Sequence, residues 1–241
     1  LNSEPDKRPG GAGAANVIEA RRADVGVDEL DHAAWNDAPT VHLTRLWSGE
    51  AAMPTRHAEA RVLWSKKNLS VRFVCRQTEP LIVHPAPQTT EKTIGLWERD
   101  VCEIFIAPNA DEPERYFEFE AAPTGEWIDL ALRMTQEGRE TDWQYRSGMT
   151  VAARVDEGFV TIAMRVPWAA FGVNCSAPQI GTCWRANLFR CVGTGNERYI
   201  AWQPTRTAQP NFHVPEAFGW LCFLDGRKRK VLRPCGNQLL V

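Results

Sequence analysis

Short runs of alternating apolar and polar residues, separated by turn residues, dominate this sequence and restrict what it can fold into. Eleven segments carry the pattern: TVHLTRL, EARVLWS, LSVRFVCR, DVCEIFIAP, RYFEFEAAP, EWIDLALR, MTVAARVD, GFVTIAMRV, CWRANLFRCV, RYIAWQP and GWLCFL. Strand side chains alternate between two faces with period two, whereas a helix repeats every 3.6 residues. No long amphipathic helix interrupts the series. The pattern therefore predicts an all-β chain, an antiparallel β-sandwich of jelly-roll type with about ten to eleven strands and short helical turns. SKKN, APTGE and VDEG supply turn residues between consecutive runs and predict hairpins. DELDHAAWND, residues 28–37, reads as a short helical turn that directs Leu30 and Trp35 into the core.

One β-sandwich domain over residues 17–225 is the simplest partition, because no linker divides the chain. Residues 1–16, rich in Gly, Pro, Ala and charge, read as a flexible tail, and residues 226–241, opening with GRKRK, as a basic C-terminal tail. A net charge of -2 over 241 residues gives no electrostatic reason to expect nucleic acid or an anionic membrane as partner. No apolar run approaches the roughly 20 residues of a membrane span, and no signal peptide is read at Leu1. The seven cysteines form no C-x-x-C pair and stand at no zinc-ligand spacing with histidine. Cys75, Cys102, Cys191 and Cys222 fall in apolar strand patterns and read as small buried hydrophobes, while Cys175 and Cys183 flank a loop and could form a disulfide. Ten tryptophans against three tyrosines is the compositional anomaly. Trp35, Trp64 and Trp220 lie in apolar surroundings and read as core, which leaves a minority in loops.

The stretch LWERDVCEIFIAP, residues 96–108, poses the sharpest chemical question. Alternation puts Cys102, Ile104 and Ile106 on one face and Val101, Glu103 and Phe105 on the other. Glu103 thus interrupts an apolar face, and a buried carboxylate costs several kcal/mol unless something partners it. Arg61, Arg72, Glu103, Glu118, Glu120, Asp129, Arg165 and Arg190 all read as charges on a sheet face, so a cross-strand arginine such as Arg72, Arg165 or Arg190 is one partner for Glu103. A second reading pairs Glu103 with a neighbouring acid such as Glu118 as glycosidase carboxylates. G-x-S-x-G, P-loop, H-E-x-x-H and dinucleotide signatures are absent. The acidic loop NADEPE (109–114) and the series Asp24, Asp28 and Asp31 could supply oxygens to calcium.

Taken in order, LDHAAWNDAP, EARVLWSKKNLSVRFVC, LWERDVCEIFIAP, EGFVTIAMRVPWAAFG, IGTCWRANLFRC and FHVPEAFGWLCF resemble the family 9 carbohydrate-binding modules and the wider family 9-like group, over roughly residues 28–224. The resemblance implies a β-sandwich that binds mono- or oligosaccharides in a slot between two aromatic side chains, outside the cytoplasm, often with structural calcium. It assigns one wall of the slot to Trp97 and the hydroxyl-binding carboxylate to Glu103, with Asn187 and Arg198 as further polar contacts and Phe212 as the second wall. Where a sugar-binding arginine is expected, this chain has Glu118. The family is usually attached to glycoside hydrolases, so the resemblance implies binding, associated with polysaccharide catabolism, rather than cleavage. Haem-binding electron-transfer sandwiches of the DOMON type share this fold, and would draw axial ligands from Met53, Met134, Met149, Met164 and the five histidines.

Overall fold

The computed structural model describes residues 16–172 and 176–226. Cys175 and all but one residue of each expected tail lie outside that range. Fourteen strands form: β1 (Val17–Arg22), β2 (Val41–Leu43), β3 (Arg45–Leu46), β4 (Ala58–Trp64), β5 (Asn68–Arg76), β6 (Val101–Ala107), β7 (Arg115–Ala121), β8 (Trp127–Thr135), β9 (Gly138–Asp142), β10 (Thr150–Asp156), β11 (Phe159–Pro167), β12 (Cys183–Cys191), β13 (Tyr199–Ala201) and β14 (Gly219–Leu224). The excess over the expected eleven has a local origin. TVHLTRL divides into β2 and β3, while VIEARR (β1) and GRETD (β9) form strands from sequences too charged to show apolar alternation. The remaining regular elements are 3-10 turns, among them Ala33–Asp37, which buries Trp35.

The hydrogen-bonded path runs β10-β11-β5-β4-β1-β14-β12-β6-β7-β8-β9. Neighbours along it are antiparallel except at β1, which lies parallel to both β4 and β14. β1 thereby joins two layers, β10-β11-β5-β4 and β14-β12-β6-β7-β8-β9, that fold against each other as a sandwich. Across the interior the rings of Phe119 and Phe171 meet edge to face at 5.8 Å, and the thiols of Cys75 (β5) and Cys102 (β6) lie 3.4 Å apart. Cys102, Ile104 and Ile106 face this interior, as the alternation predicts. Cys183 is bonded to Cys222, its direct register partner between β12 and β14. The expected Cys175–Cys183 bridge is therefore excluded, and Cys222 is not the free thiol its apolar setting suggested.

All seven residues of β6 are buried, so its outer face is covered too. The cover is the segment between β13 and β14. Phe218 and His213 pack on Phe105 of β6, and Phe212 stacks on Phe189 of β12 at 4.0 Å. The charges expected on one sheet face occupy three different ones. Arg61 and Arg72 face each other on the outside of the first layer, where a small second core of Val25, Trp35, Ala38 and Leu63 forms. Asp129 and Arg190 pair in register with Phe119 and Cys102, on the inner side of the second layer. Glu103, Glu118 and Glu120 stand on its outer face, beneath the covering segment.

Candidate functional site

Register brings the acids together. Glu103 of β6 lies opposite Glu120 of β7, and period two places Glu118 beside Glu120 on the same face. All three are buried, at 2%, 3% and 0% exposure for Glu103, Glu118 and Glu120. An oxygen from each lies within 4.8 Å of the others. Among the described residues, no arginine holds Glu103. Arg72 donates to the Leu30 carbonyl, Arg165 to Asp24, and Arg190 to the Arg56 and Arg76 carbonyls and to Gln77, all on other faces. Among the described residues, the only hydrogen bond to Glu103 is from the Cys191 thiol, at 3.4 Å. Glu118 Oε2 and both oxygens of Glu120 are buried with no donor. His213 Nδ1 is hydrogen-bonded to the Tyr116 hydroxyl at 2.9 Å and stands 3.9 Å from Glu118 Oε2. Burial pushes His213 down to about 3, so it is neutral and offers no counter-charge.

Burial raises the pKa of each acid; repulsion from Glu118 adds to it at Glu103 and from Glu103 and Glu118 at Glu120, while the hydrogen bond with Glu120 holds Glu118 down. Arg198 and Arg139 oppose the rise from a distance. An acid whose folded pKa is raised binds more protons folded than unfolded, so its contribution to stability is full below the unfolded value and is lost as pH rises towards the folded one. Glu120→Gln removes a carboxylate while keeping its shape and gaining N–H donors. In chelator-containing buffer this variant should be more stable than wild type by about 1–3 kcal/mol at pH 7. The difference should shrink towards zero at about pH 4. Urea unfolding across that range checks it; a difference independent of pH would refute the account.

Above the acids is a cavity of about 260 Å³. Trp97, in the 3-10 turn Leu96–Glu98 that leads into β6, forms one side, and Trp143, just after β9, stands next to it at 6.4 Å between centroids and 44° between planes. Tyr199 and Phe212 line the other parts, and Arg139 of β9 reaches its edge. Of the residues expected at a site, Trp97, Glu103, Glu118 and Phe212 line this cavity. Asn187 does not: it donates to the Gln203 carbonyl and accepts from the Gln203 and Leu188 amides, fixing the segment that follows β13. Arg198 stands back, donating to the Arg99 carbonyl and lying over the Tyr199 ring. Trp143, Tyr199, Arg139 and His213 line the cavity without having been singled out. Only Trp143 left a trace in the sequence, as a tryptophan in the polar stretch TDWQYRS.

The acids that could have supplied oxygens to calcium lie elsewhere. Asp31 is paired with Arg154 and Asp24 with Arg165, and the acids of 109–114 do not converge. Among the described residues, Glu103, Glu118 and Glu120 form the one group of at least three acid, histidine or cysteine ligands at metal-binding distance.

A β-sandwich that carries a small acid-floored, aromatic-walled slot on the outer face of one sheet belongs to a recognisable class of domains. Residues 27–226 match the family described as carbohydrate family 9 binding domain-like, and the chain belongs to that family. Three solved structures share the fold. One, a Bacteroides uniformis protein whose carbohydrate binding is inferred, superposes with a TM-score of 0.66 at 18% identity, covering 86% of this chain and 99% of that one. A family 9 carbohydrate-binding module of Caldicellulosiruptor kristjanssonii was solved in complex with cellotriose, at 16% identity and a TM-score of 0.56, covering 92% of this chain and 100% of that one. The module from the same organism with glucose gives 16% identity and 0.56, covering 90% and 100%. No curated protein matches the sequence significantly. No helix among the described residues is long and apolar enough to cross a membrane.

Proposed function

We propose that this chain binds a mono- or oligosaccharide without cleaving it, in the slot over Glu103, Glu118 and Glu120. The observation that carries this reading is the placing of two tryptophans, Trp97 and the 42%-exposed Trp143, at the mouth of a cavity floored by unpartnered carboxyl oxygens. A pyranose needs that combination: an aromatic surface for its C–H face and fixed acceptors for its rim of hydroxyls. Rim hydroxyls would donate to carboxyl oxygens that no protein group reaches. Family membership supports the reading, as do the neighbours of the same fold solved with cellotriose and glucose.

Two alternatives fit the site less well. A retaining glycosidase needs a sugar between two carboxylates about 5–5.5 Å apart. Here Glu103 and its candidate partner Glu118 bring oxygens within 4.8 Å of each other and of Glu120, all three buried in the floor, a crowded cluster rather than two acids flanking a glycosidic bond. Haem would need axial ligands, and the cavity offers His213 with no methionine among its lining residues. The domain reading of residues 17–225, with an extracytoplasmic setting, accompanies the saccharide-binding proposal.

Calorimetric titration with a panel of mono- and oligosaccharides tests the proposal. Trp97→Ala and Trp143→Ala should each weaken binding at least tenfold, about 1.4 kcal/mol, while Trp220→Phe, remote from the slot beside Arg185, should leave it unchanged. Absence of binding across the panel at millimolar sugar would sink it.

A further inference from the structure

The floor of the slot gathers more buried carboxyl oxygens than its protein neighbours satisfy. Glu118 Oε2 and both oxygens of Glu120 are fully buried without a donor, and Glu103 has only a weak thiol donor at 3.4 Å. Hydroxyls entering from the mouth could reach some of these oxygens, but not the whole of a group of three carboxyls whose oxygens converge within 4.8 Å. Arg139 lines the cavity but makes no ion pair with these acids among the described residues, and His213 is neutral. A cation at the centre of the group meets all three carboxyls at once. It takes one oxygen from each, and binding releases whatever protons the buried acids hold.

The geometry also says which kind of cation. Calcium binds oxygens at 2.3–2.6 Å, so one ion joins oxygens up to about 4.6–5.2 Å apart. The three glutamates present theirs within 4.8 Å of one another, which allows a single ion to touch all three without moving a strand. The donors are hard carboxylate oxygens, which favour calcium over zinc. Magnesium, at 2.0–2.1 Å, demands a tighter and more regular octahedron. The ligands sit on adjacent, hydrogen-bonded strands, so the site is held in place before the ion arrives. Calcium takes six to eight oxygens, and three carboxylates leave several positions open. Those positions face the cavity between Trp97 and Phe212.

We propose that Glu103, Glu118 and Glu120 bind one calcium ion at the floor of the slot, and that the ion's open positions take adjacent hydroxyl oxygens of the saccharide. The second half rests on the sugar-binding reading above; the first does not. The substitution of Glu118 for an expected sugar-binding arginine then has a chemical meaning. A fixed guanidinium donor is exchanged for a metal ligand, and the hydroxyls are held through their lone pairs on the ion in place of N–H donors.

The test strips the protein with EDTA and titrates it with calcium chloride alone, by calorimetry and thermal unfolding, before any sugar is added. One ion should bind per chain and raise the melting temperature. Glu120→Gln should lose at least tenfold in calcium affinity while melting no lower than stripped wild type, Glu118→Gln should lose comparably, and Glu157→Gln, on an exposed turn, should match wild type. Saccharide titrations in calcium and in EDTA should then differ at least tenfold. No uptake at millimolar calcium, or uptake unchanged in both glutamine variants, overturns the ion site. Equal sugar affinity in the two buffers overturns the hydroxyl step and leaves saccharide binding standing. Calcium uptake with no sugar bound from the panel upholds the ion site, and overturns both the hydroxyl step and the sugar-binding reading.

Discussion

Lys92→Met should destabilise the protein by about 3–5 kcal/mol and weaken saccharide binding in the same variant. Lys92 lies on the connection between β5 and β6, a few residues before Trp97. Its ammonium is 2.7 Å from Asp129 Oδ1 and donates to the carbonyls of Asp129 and Tyr145, each at 2.6 Å. Two of the three donors that lysine has are engaged by carbonyls, and the carboxylate pairs with the ammonium as an ion. The ammonium and carboxylate side chains are 5% and 1% exposed, so the pair is buried. Removing one member of a buried pair strands the other, and Asp129 would keep only the Ser147 amide at 2.6 Å. Tyr145 stands two residues beyond Trp143, so one ammonium ties together β8 and the two segments that carry the slot's tryptophans. Urea unfolding measures the first effect and sugar titration the second. The double variant Lys92→Met/Asp129→Leu should recover much of the stability, because an apolar pair replaces a desolvated ionic one. A stability loss below about 1 kcal/mol in the single variant would show the pair to be an ordinary surface contact.

The fold was legible wherever alternation was strong. β4 to β8 and β10 to β12 follow apolar periodicity, and the face assignment of Cys102 and Ile104 against Glu103 and Phe105 agrees with the register. β1 and β9 were not legible, because GRETD has no apolar residue and VIEARR is half charged. Their hydrogen bonds to neighbouring strands, rather than their composition, make them strands. Of the site, the local part could be read: Trp97 and Glu103 lie six positions apart in one segment. What could not be read was register. Arg190 was a credible partner for Glu103 until β12 was seen to pair Phe189 with Glu103 and Arg190 with Cys102, one residue out of phase. Arg139 comes to the slot from the edge strand β9 and Trp143 from the residue after it, a stretch whose sequence carries no packing pattern. Asn187, expected at a ligand, is occupied by the backbone of Gln203, a contact no linear pattern announces.

That one-residue phase makes Arg190 the counterpart of Lys92, and Arg190→Met should lower stability by about 3–5 kcal/mol without changing saccharide affinity. Arg190 is 3% exposed and reaches the far layer, donating to the Arg56 carbonyl at 2.8 Å, the Arg76 carbonyl at 2.9 Å and Gln77 Oε1 at 2.6 Å. Gln77 is oriented in turn by donating to Asp100, whose carboxylate also accepts from the Ile82 and Gly193 amides. Methionine fills much of the volume but leaves these buried acceptors without a donor, at about 1–3 kcal/mol each. For a domain of this size the loss amounts to roughly 6–20 °C in melting temperature. Arg190→Lys should recover little, because a lysine ammonium cannot reproduce the planar fork that spans two carbonyls and an amide oxygen. Because Arg190 points into the interior while the acids face the slot, calorimetry on the folded variant should return the wild-type sugar affinity. A parallel loss of affinity would mean that the outer face of β12 is held in place from within, and that the two faces of the sheet are not independent.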